Sequence, residues 1–291
     1  MFKGDLFKGK RFLVTGGGTG LGRVMMEKFV ELGADAVICG RRGRVLEETA
    51  EATMAKYPGR RVDTHTVDIR VASAVDEMVA AVWQQGPIDG LVNNAAGNFI
   101  AQTKDLSPRG FDAIANIVLH GTFYVTSSCG RRWIADGRKA SVLSVLTTWV
   151  RTGSPFVVPS AMSKAGVAVM TQSLAVEWAR YGIRLNAIAP GPFPTEGAWA
   201  RLSPMGDSSN SYVDRNPMGR VGKNHELANL AAFLMSDEVA YINGEVIAID
   251  GGAGIMGSGT YANMLGHSEQ QWREIREKIT ATNEADRAKR G

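Results

Sequence analysis

The stretch RFLVTGGGTGLG, residues 11–22, decides the fold. Its first part, RFLVT, is an apolar run with the length of a buried strand, and the rest opens a helical pattern that continues to Leu32. Glycines between a strand and a helix let the backbone turn sharply and approach a pyrophosphate, whose charge the helix N terminus stabilises. The TGxxxGxG spacing predicts a nucleotide-binding turn, with a purely structural glycine turn as the alternative. The residues assigned to this turn are Thr15, Gly16, Gly18, Thr19, Gly20, Leu21 and Gly22.

Strand-like and helix-like patterns alternate along the rest of the chain. Short apolar runs begin near residues 35, 62, 88, 140, 183 and 245, and helical patterns lie between them. This alternation predicts a parallel sheet covered on both faces, a Rossmann-type doubly wound α/β fold. We expect one domain over 1–291 that ends in a tail helix within 259–291. The proline-containing segment 191–222 lacks periodicity and follows the sixth strand, so we expect a substrate lid loop there.

Composition and charge argue against several classes of protein. The 291 residues are 44% hydrophobic and carry a net charge of +4, with the basic residues scattered along the chain. We therefore expect no nucleic-acid partner, and no membrane, because no apolar run reaches the roughly 18 residues of a membrane helix. Cys39 and Cys129 lack CxxC spacing, which predicts neither a disulfide nor a metal site and favours a reducing compartment. The N-terminal residues show no signal-peptide pattern, so we expect a cytoplasmic protein.

The residues after the second strand indicate which dinucleotide binds. An acidic residue there would accept from the ribose 2′-hydroxyl of NAD, whereas an arginine would pair with the 2′-phosphate of NADP. The sequence over 39–44 is CGRRGR, without an acid, so Arg41 and Arg42 favour NADPH. A solvated basic turn is the alternative. Asp68, at the end of the third strand, is a candidate acceptor for the adenine amine or a cap for the next helix.

Four motifs in order resemble one enzyme family. TGGGTGLG is followed by NNAAG (93–97), SKAG (163–166) and NAIAPGP (186–192), and together these resemble the short-chain dehydrogenase/reductase family. Longer stretches, among them NNAAGNFI, TGSPFVVPSAMSKAG and EWARYGIRLNAIAPGP, are similar to its NADPH-dependent 2,4-dienoyl-CoA reductases, the mitochondrial type in particular. The resemblance implies a homotetramer that uses NADPH to reduce 2,4-dienoyl-CoA to 3-enoyl-CoA in fatty-acid β-oxidation.

The same resemblance implies the catalytic residues. Most members carry a tyrosine acid four residues before the lysine, but here Ser160 stands four residues before Lys164. A serine hydroxyl is a poor acid near neutral pH, which makes ordinary alcohol dehydrogenase chemistry unfavourable. The dienoyl-CoA reductases carry serine there and develop negative charge on the thioester oxygen, which needs hydrogen-bond donors. Their catalytic pair corresponds to Asn98 and to a tyrosine position that here holds Trp149.

Trp149 changes what this pair can do. An indole N–H donates a hydrogen bond but cannot deliver a proton. Our interpretation is that Asn98 and Trp149 hold the enolate oxygen, while Lys164 holds the nicotinamide ribose and Ser160 positions cofactor or substrate. The proton would come from water or another acid, and His120 is one candidate, with a structural or surface role as its alternative.

The remaining site residues depend on the same resemblance. Small residues after the fourth strand leave room for the cofactor ribose, and a turn after the sixth strand passes the nicotinamide amide. These cofactor-binding candidates are Asn94, Ala95, Ala96, Gly97, Pro190, Gly191 and Phe193. The substrate-binding candidates are Arg70 and Arg201, for coenzyme A phosphates, and Phe99 and Ser107. Surface salt bridges are the alternative for both arginines.

Two other functions stay open on the sequence alone. A short-chain reductase could act on another carbonyl substrate, with an acid that the motifs do not identify. An NADP-binding protein with little catalytic activity would also be compatible with tryptophan at position 149. Turnover of a dienoyl-CoA thioester with NADPH distinguishes the first function from both alternatives.

Overall fold

A computed structural model describes residues 2, 4–195, 212–257 and 259–290. The chain folds as two compact units, Met1–Gly254 and Ile255–Gly291. The first unit contains the sheet and every described residue of the candidate site. The expectation of a single domain over the whole chain stays a prediction.

Seven parallel strands form one sheet in the order β3-β2-β1-β4-β5-β6-β7. Their bounds are β1 Arg11–Thr15, β2 Asp35–Gly40, β3 Val62–Thr66, β4 Gly90–Asn93, β5 Ala140–Val145, β6 Ile183–Pro190 and β7 Val246–Ile249. The chain runs from β1 to one edge at β3 and then crosses back to β4 on the other side of β1. Ligands in such sheets bind beyond the strand ends where the strand order reverses. The predicted Rossmann-type doubly wound sheet is confirmed.

Helices pack on both faces of this sheet. In chain order, the described α-helices up to residue 256 are α1 Gly20–Glu31, α2 Gly43–Lys56, α3 Ala72–Gln84, α4 Pro108–Ala115, α5 Thr122–Ala135, α6 Trp149–Thr152, α7 Val158–Trp178, α8 Asn224–Met235 and α9 Ala253–Met256. One buried cluster joins the sheet to α1 and α8, with Phe29 and Leu234 among its members. A second cluster on the opposite face joins α3, α5 and α7 through Val79, Trp133 and Trp178. These two apolar layers hold the carboxyl ends of the strands at one edge, where the candidate site lies.

The helical segment between β4 and β5, over residues 108–135, is interrupted. A π-helical segment, Asn116–Gly121, separates α4 from α5. Tight packing surrounds it, because a Cβ on Gly121 would lie 2.7 Å from Ile69 Cδ1 and one on Gly166 would lie 2.8 Å from Leu119 Cδ1. Wider π turns often occur at functional sites, and this one lies against α7, the helix that carries Lys164.

Three features outside the sheet bear on the sequence predictions. The short helix α6 was not predicted from the sequence and follows directly after β5. Half of the predicted lid over 191–222, namely residues 196–211, lies outside the described residues. No helix in the described part of the chain combines the length and the apolar character that crossing a bilayer requires.

The second unit contains the tail helix, α10, over Glu269–Arg290. Its start is capped reciprocally: Ser268 Oγ accepts from the N–H of Gln271 at 3.3 Å, and the N–H of Ser268 donates to Gln271 Oε1 at 2.8 Å. This capping box satisfies two of the N–H groups that a helix start leaves free.

Candidate active site

The glycine-rich turn has the backbone geometry that its sequence predicts. Gly16 and Gly20 adopt positive φ angles of 66° and 57°, which a side chain would disfavour. A Cβ on Gly22 would lie 2.6 Å from the carbonyl oxygen of Gly16, so only glycine fits there. Thr19 precedes α1 and its side chain makes no cap bond to any described residue, which leaves the first N–H groups of α1 available. These groups and the helix dipole suit a phosphate.

Asn94 supports this turn from the next strand. Its Nδ2 donates to the carbonyl oxygens of Thr15 and Gly16, at 3.0 and 3.3 Å. In return, Thr15 Oγ1 accepts from the backbone N–H groups of Asn94 and Ala95, each at 3.0 Å. The amide nitrogen of Asn94 is therefore committed to the turn, which leaves Oδ1 and the backbone for any contact with a cofactor.

The end of β2 is basic, as predicted. Arg41 is exposed and has no hydrogen bond or ion pair to any described residue. Arg42 Nη2 donates to Thr19 Oγ1 at 3.3 Å, which ties the basic turn to the start of α1. Arg44, next along the chain, instead pairs with Glu48 at 2.8 Å. The first two arginines therefore border the glycine turn.

Asp68 and Arg70 form an ion pair, the surface salt bridge that is the alternative for Arg70 in the sequence analysis. Arg70 Nε donates to both carboxylate oxygens at 2.9 Å, and Arg70 Nη2 donates to Oδ2 at 2.5 Å. The hydrogen bonds from Arg70 hold the pKa of Asp68 below its ordinary value. The suggestion that Asp68 caps the next helix is wrong, because the residue before α3 is Val71 and no described side chain caps that helix. A contact of Asp68 with adenine, or of Arg70 with coenzyme A, would have to compete with this ion pair. Nη1 of Arg70 bonds to no described residue.

Lys164 lies at the centre of the candidate site. Its side chain is buried in α7 and Nζ donates to the carbonyl oxygen of Val145, at the end of β5. Burial lowers the pKa of Lys164 from its ordinary 10.5 to about 8. One turn earlier, Ser160 is also buried, and its hydroxyl has no hydrogen-bond partner among the described residues. The pair shares one face of α7, as the four-residue spacing predicts.

Asn98 and Trp149 follow two neighbouring strands, β4 and β5. Asn98 Oδ1 accepts from the N–H of Phe99 at 2.9 Å, while its NH₂ group donates to no described residue. Trp149 begins α6, is half-buried, and its indole N–H likewise has no described partner. The N–H of Ala101 donates to the carbonyl oxygen of Phe156 at 2.9 Å. This hydrogen bond joins the loop that carries Asn98 to the segment between α6 and α7. Two unpaired donors therefore stand on linked loops beyond adjacent strand ends.

His120 and Val118 lie in the π segment. The His120 ring is exposed and its Nδ1 pairs with Asn116 Oδ1 on the same helix at 2.9 Å. Val118, two residues earlier, is almost fully buried. Within the described residues, His120 makes no hydrogen bond to Asn98, Trp149 or Lys164, so the geometry does not support it as the proton donor.

The nicotinamide-side residues are packed tightly. The N–H of Gly191 donates to the carbonyl oxygen of Ile249 at 3.0 Å, and a Cβ on Gly191 would lie 2.8 Å from Asp250 Cα. Phe193 belongs to the buried core rather than to an open cleft. Pro190 ends β6. This turn therefore offers mainly backbone groups to a bound ligand.

The substrate candidates have varied environments. Ser107 caps α4, with Oγ accepting from the N–H of Gly110 at 3.1 Å, so its hydroxyl is already in use. Phe99 is half-buried beside Gly110. Gly97 packs towards Ile117, and its neighbour Ala96 is exposed. Arg201 lies outside the described residues.

Sequence reasoning missed the role of Asp250 in this region. Its carboxylate oxygens accept from the N–H groups of Gly252 and Gly254, at 2.9 and 2.7 Å. Gly254 in turn packs on Thr148, the residue before Trp149, since its Cβ would lie 3.3 Å from Thr148 Cβ. An acid followed by two glycines at a strand end is a recognisable turn signal, but the contact with Thr148 depends on the folded chain.

Comparisons with known proteins agree with this geometry. A family model described as Enoyl-(Acyl carrier protein) reductase matches residues 16–254. The chain is 44% identical over 279 residues to "Probable 2,4-dienoyl-CoA reductase 3 [(3E)-enoyl-CoA-producing]" of Caenorhabditis elegans, covering 94% of this chain and 90% of that one. It is 41% identical to "Probable 2,4-dienoyl-CoA reductase [(2E)-enoyl-CoA-producing]" of Bacillus subtilis, covering 84% and 96%.

Solved structures share the fold. A gluconate 5-dehydrogenase from Burkholderia cenocepacia, in complex with NADP and tartrate, superposes with a TM-score of 0.80 at 30% identity, covering 86% of this chain and 97% of the other. The chain belongs to the short-chain dehydrogenase/reductase family and is an oxidoreductase. The resemblance to the 2,4-dienoyl-CoA reductases that its motifs carry is confirmed.

The titration of Lys164 gives a test of its environment. Between pH 8 and 10.5 the unfolded chain holds a proton on this lysine that the folded chain has lost, so the free energy of unfolding rises with pH in that window. We expect the free energy of unfolding of wild type, relative to that of Lys164→Met, to rise by on the order of 2 kcal/mol between about pH 7.5 and about pH 9.5. Urea unfolding at both values measures this. A difference between wild type and Lys164→Met that does not change with pH would contradict the assigned burial.

Proposed function

We propose that this protein reduces 2,4-dienoyl-CoA thioesters to 3-enoyl-CoA with NADPH, as a step of fatty-acid β-oxidation. The observation that carries the proposal is the pair of unpaired donors on Asn98 and Trp149, combined with a serine at position 160 and a buried Lys164. The family membership and the names of the relatives at 41–44% identity support the same chemistry.

The chemistry of a dienoyl thioester matches these donors. Hydride enters at the far end of the conjugated system, and the electron pair is displaced onto the thioester oxygen. That oxygen is a developing anion, which N–H donors in a water-poor site stabilise strongly. The free NH₂ of Asn98 and the free indole N–H of Trp149 would donate to it. No hydroxyl product forms, so Ser160 need not act as an acid.

The chain also has the residues to hold NADPH, which supplies the hydride when bound. The positive-φ glycines and the uncapped start of α1 suit the pyrophosphate. Arg41 has no partner among the described residues, and no acid follows β2, which favours a 2′-phosphate over a free ribose hydroxyl. Lys164 would hold the nicotinamide ribose, with its ammonium already oriented by the carbonyl of Val145.

Proton delivery determines the product. Protonation of the dienolate at the carbon beside the thioester gives the 3-enoyl product, whereas protonation at the fourth carbon gives the 2-enoyl product. Trp149 cannot deliver a proton, and His120 is bonded to Asn116 on the helix surface. Water is therefore the proton source in this proposal. The relatives differ in the same respect, since the C. elegans name specifies (3E)-enoyl-CoA and the B. subtilis name (2E)-enoyl-CoA.

We also propose a homo-oligomer, a tetramer as the resemblance implies. Met162, Val169 and Val176 repeat every seven residues on α7 and are 57%, 61% and 82% exposed in the single chain. Phe123 on α5 is exposed as well. A second copy could bury this stripe. Light scattering measures the assembly directly. A cytoplasmic location stays part of the proposal, to be checked by cell fractionation.

The function is tested by a screen of NADPH oxidation. With 2,4-decadienoyl-CoA we expect absorbance at the nicotinamide band to fall, and with 2-decenoyl-CoA or simple ketones we expect it to stay constant. Tight NADPH binding without turnover of any thioester would instead support an NADP-binding protein with little activity. Turnover of ketones alone would support a reductase of another carbonyl substrate.

Asn98 is the donor to remove first. We expect Asn98→Ala to lower kcat for the dienoyl-CoA by roughly a hundredfold, because one oxyanion donor is lost, while the Kd of NADPH is unchanged. Asn283→Ala, at an exposed position of α10, is the matched control and should behave as wild type. An unchanged kcat in Asn98→Ala would remove Asn98 from the proposed site.

Arg41 tests the choice of cofactor. We expect Arg41→Ala to raise the KM for NADPH by about tenfold, through loss of a charge-assisted pair with the 2′-phosphate, and to leave the KM for NADH unaltered. Arg44→Ala removes a neighbouring arginine that pairs with Glu48 and serves as the control. Equal changes for NADPH and NADH would contradict a 2′-phosphate contact.

A further inference from the structure

Phe156 has an unusual backbone conformation. It is the only residue other than glycine with positive φ in the described part of the chain, at 66°. A bulky side chain in this region crowds its own backbone, so the conformation costs free energy that the surrounding structure must offset. Such a residue invites the question of what its side chain provides.

The backbone of Phe156 has a clear structural task. Its carbonyl oxygen accepts from the N–H of Ala101 at 2.9 Å, and Val157, the next residue, is buried just before α7 begins. This hydrogen bond connects the loop of Asn98 to the helix of Ser160 and Lys164. Glycine at position 156 could make the same bond without strain. The backbone task therefore leaves the phenyl ring unexplained.

The ring lies on the surface beside the candidate site. Phe156 is 52% exposed and belongs to none of the buried clusters of described residues. Ile100, which precedes the bonded Ala101, is 44% exposed. Ala101 is three positions after Asn98, so their Cα atoms are at most about 11 Å apart. Two exposed apolar side chains thus lie on the two bonded loops, two residues after Asn98 and four residues before Ser160, and neither belongs to a described core cluster.

We infer that Phe156, together with Ile100, forms the apolar wall for the acyl chain beyond the reacting double bonds and sets the preference for chain length. The inference depends on the acyl-thioester function proposed above. A long acyl chain reaches the ring and buries it, whereas a short chain ends before it. The positive φ constrains the direction in which the Cα–Cβ bond of Phe156 leaves the backbone, and the Ala101 bond holds that backbone against the loop of Asn98.

Replacement by glycine separates the ring from the backbone. We expect Phe156→Gly to raise the KM for ten-carbon 2,4-decadienoyl-CoA by about tenfold, with kcat unchanged, and to alter the KM for six-carbon 2,4-hexadienoyl-CoA by less than about twofold. Phe156→Leu, which retains apolar bulk, should recover most of the long-chain affinity. Calorimetric Kd values of both thioesters with the NADP⁺-saturated protein should show the same difference. Tm should not fall in Phe156→Gly, because glycine relieves the strain.

The controls distinguish the possible failures. Tyr241→Ala removes an aromatic ring that is fully exposed and should leave both thioesters unaffected. Equal losses for both chain lengths, or no change for either, would overturn the inference while leaving dienoyl-CoA reduction intact. Wild type could bind the two thioesters with different affinities and yet reduce neither of them. If Phe156→Gly then abolishes the difference in affinity, the inference is upheld and the proposed reaction is rejected. Binding of neither thioester by wild type would overturn both.

Discussion

The reciprocal hydrogen bonds between Thr15 and Asn94 are the constraint on which the rest of the site depends. Thr15 Oγ1 accepts from two successive N–H groups after β4, and Asn94 Nδ2 donates back to the glycine turn after β1. These bonds cross the point where the strand order reverses. They fix the phosphate-binding turn relative to the loop that leads to Asn98. Two segments that are far apart in sequence thereby become one rigid edge, which is the arrangement a preorganised site requires.

The proposed chemistry depends on groups that this edge leaves unpaired. Asn98 turns its oxygen towards its own backbone and keeps two donors free, while the Trp149 indole has no partner among the described residues. Lys164 is the reverse case, because the carbonyl of Val145 fixes its position and burial lowers its pKa. Free donors beside a fixed cation suit an anion that forms during the reaction. They do not suit an acid that must lose a proton at each turnover.

The sequence predicted the parts of this structure that local patterns determine. The strands, the glycine turn and the serine–lysine spacing follow from residue types a few positions apart, and each is present. The ion pair of Asp68 with Arg70, the short helix at Trp149 and the positive φ of Phe156 were not predictable in the same way. Asp68 and Arg70 are two residues apart, but their spacing alone does not specify that they pair, and a phenylalanine before a helix carries no local signal of a positive φ.

The central claim is that Trp149 acts as a hydrogen-bond donor to the thioester oxygen and not as an acid. The most direct measurement is kcat for 2,4-decadienoyl-CoA with NADPH in wild type, Trp149→Phe and Trp149→Tyr, with Trp83→Phe as a control at an indole bonded to Asp136. The account predicts a loss of about tenfold in Trp149→Phe, which has no donor, and retained or higher activity in Trp149→Tyr, which has one. Wild-type activity in Trp149→Phe would contradict it.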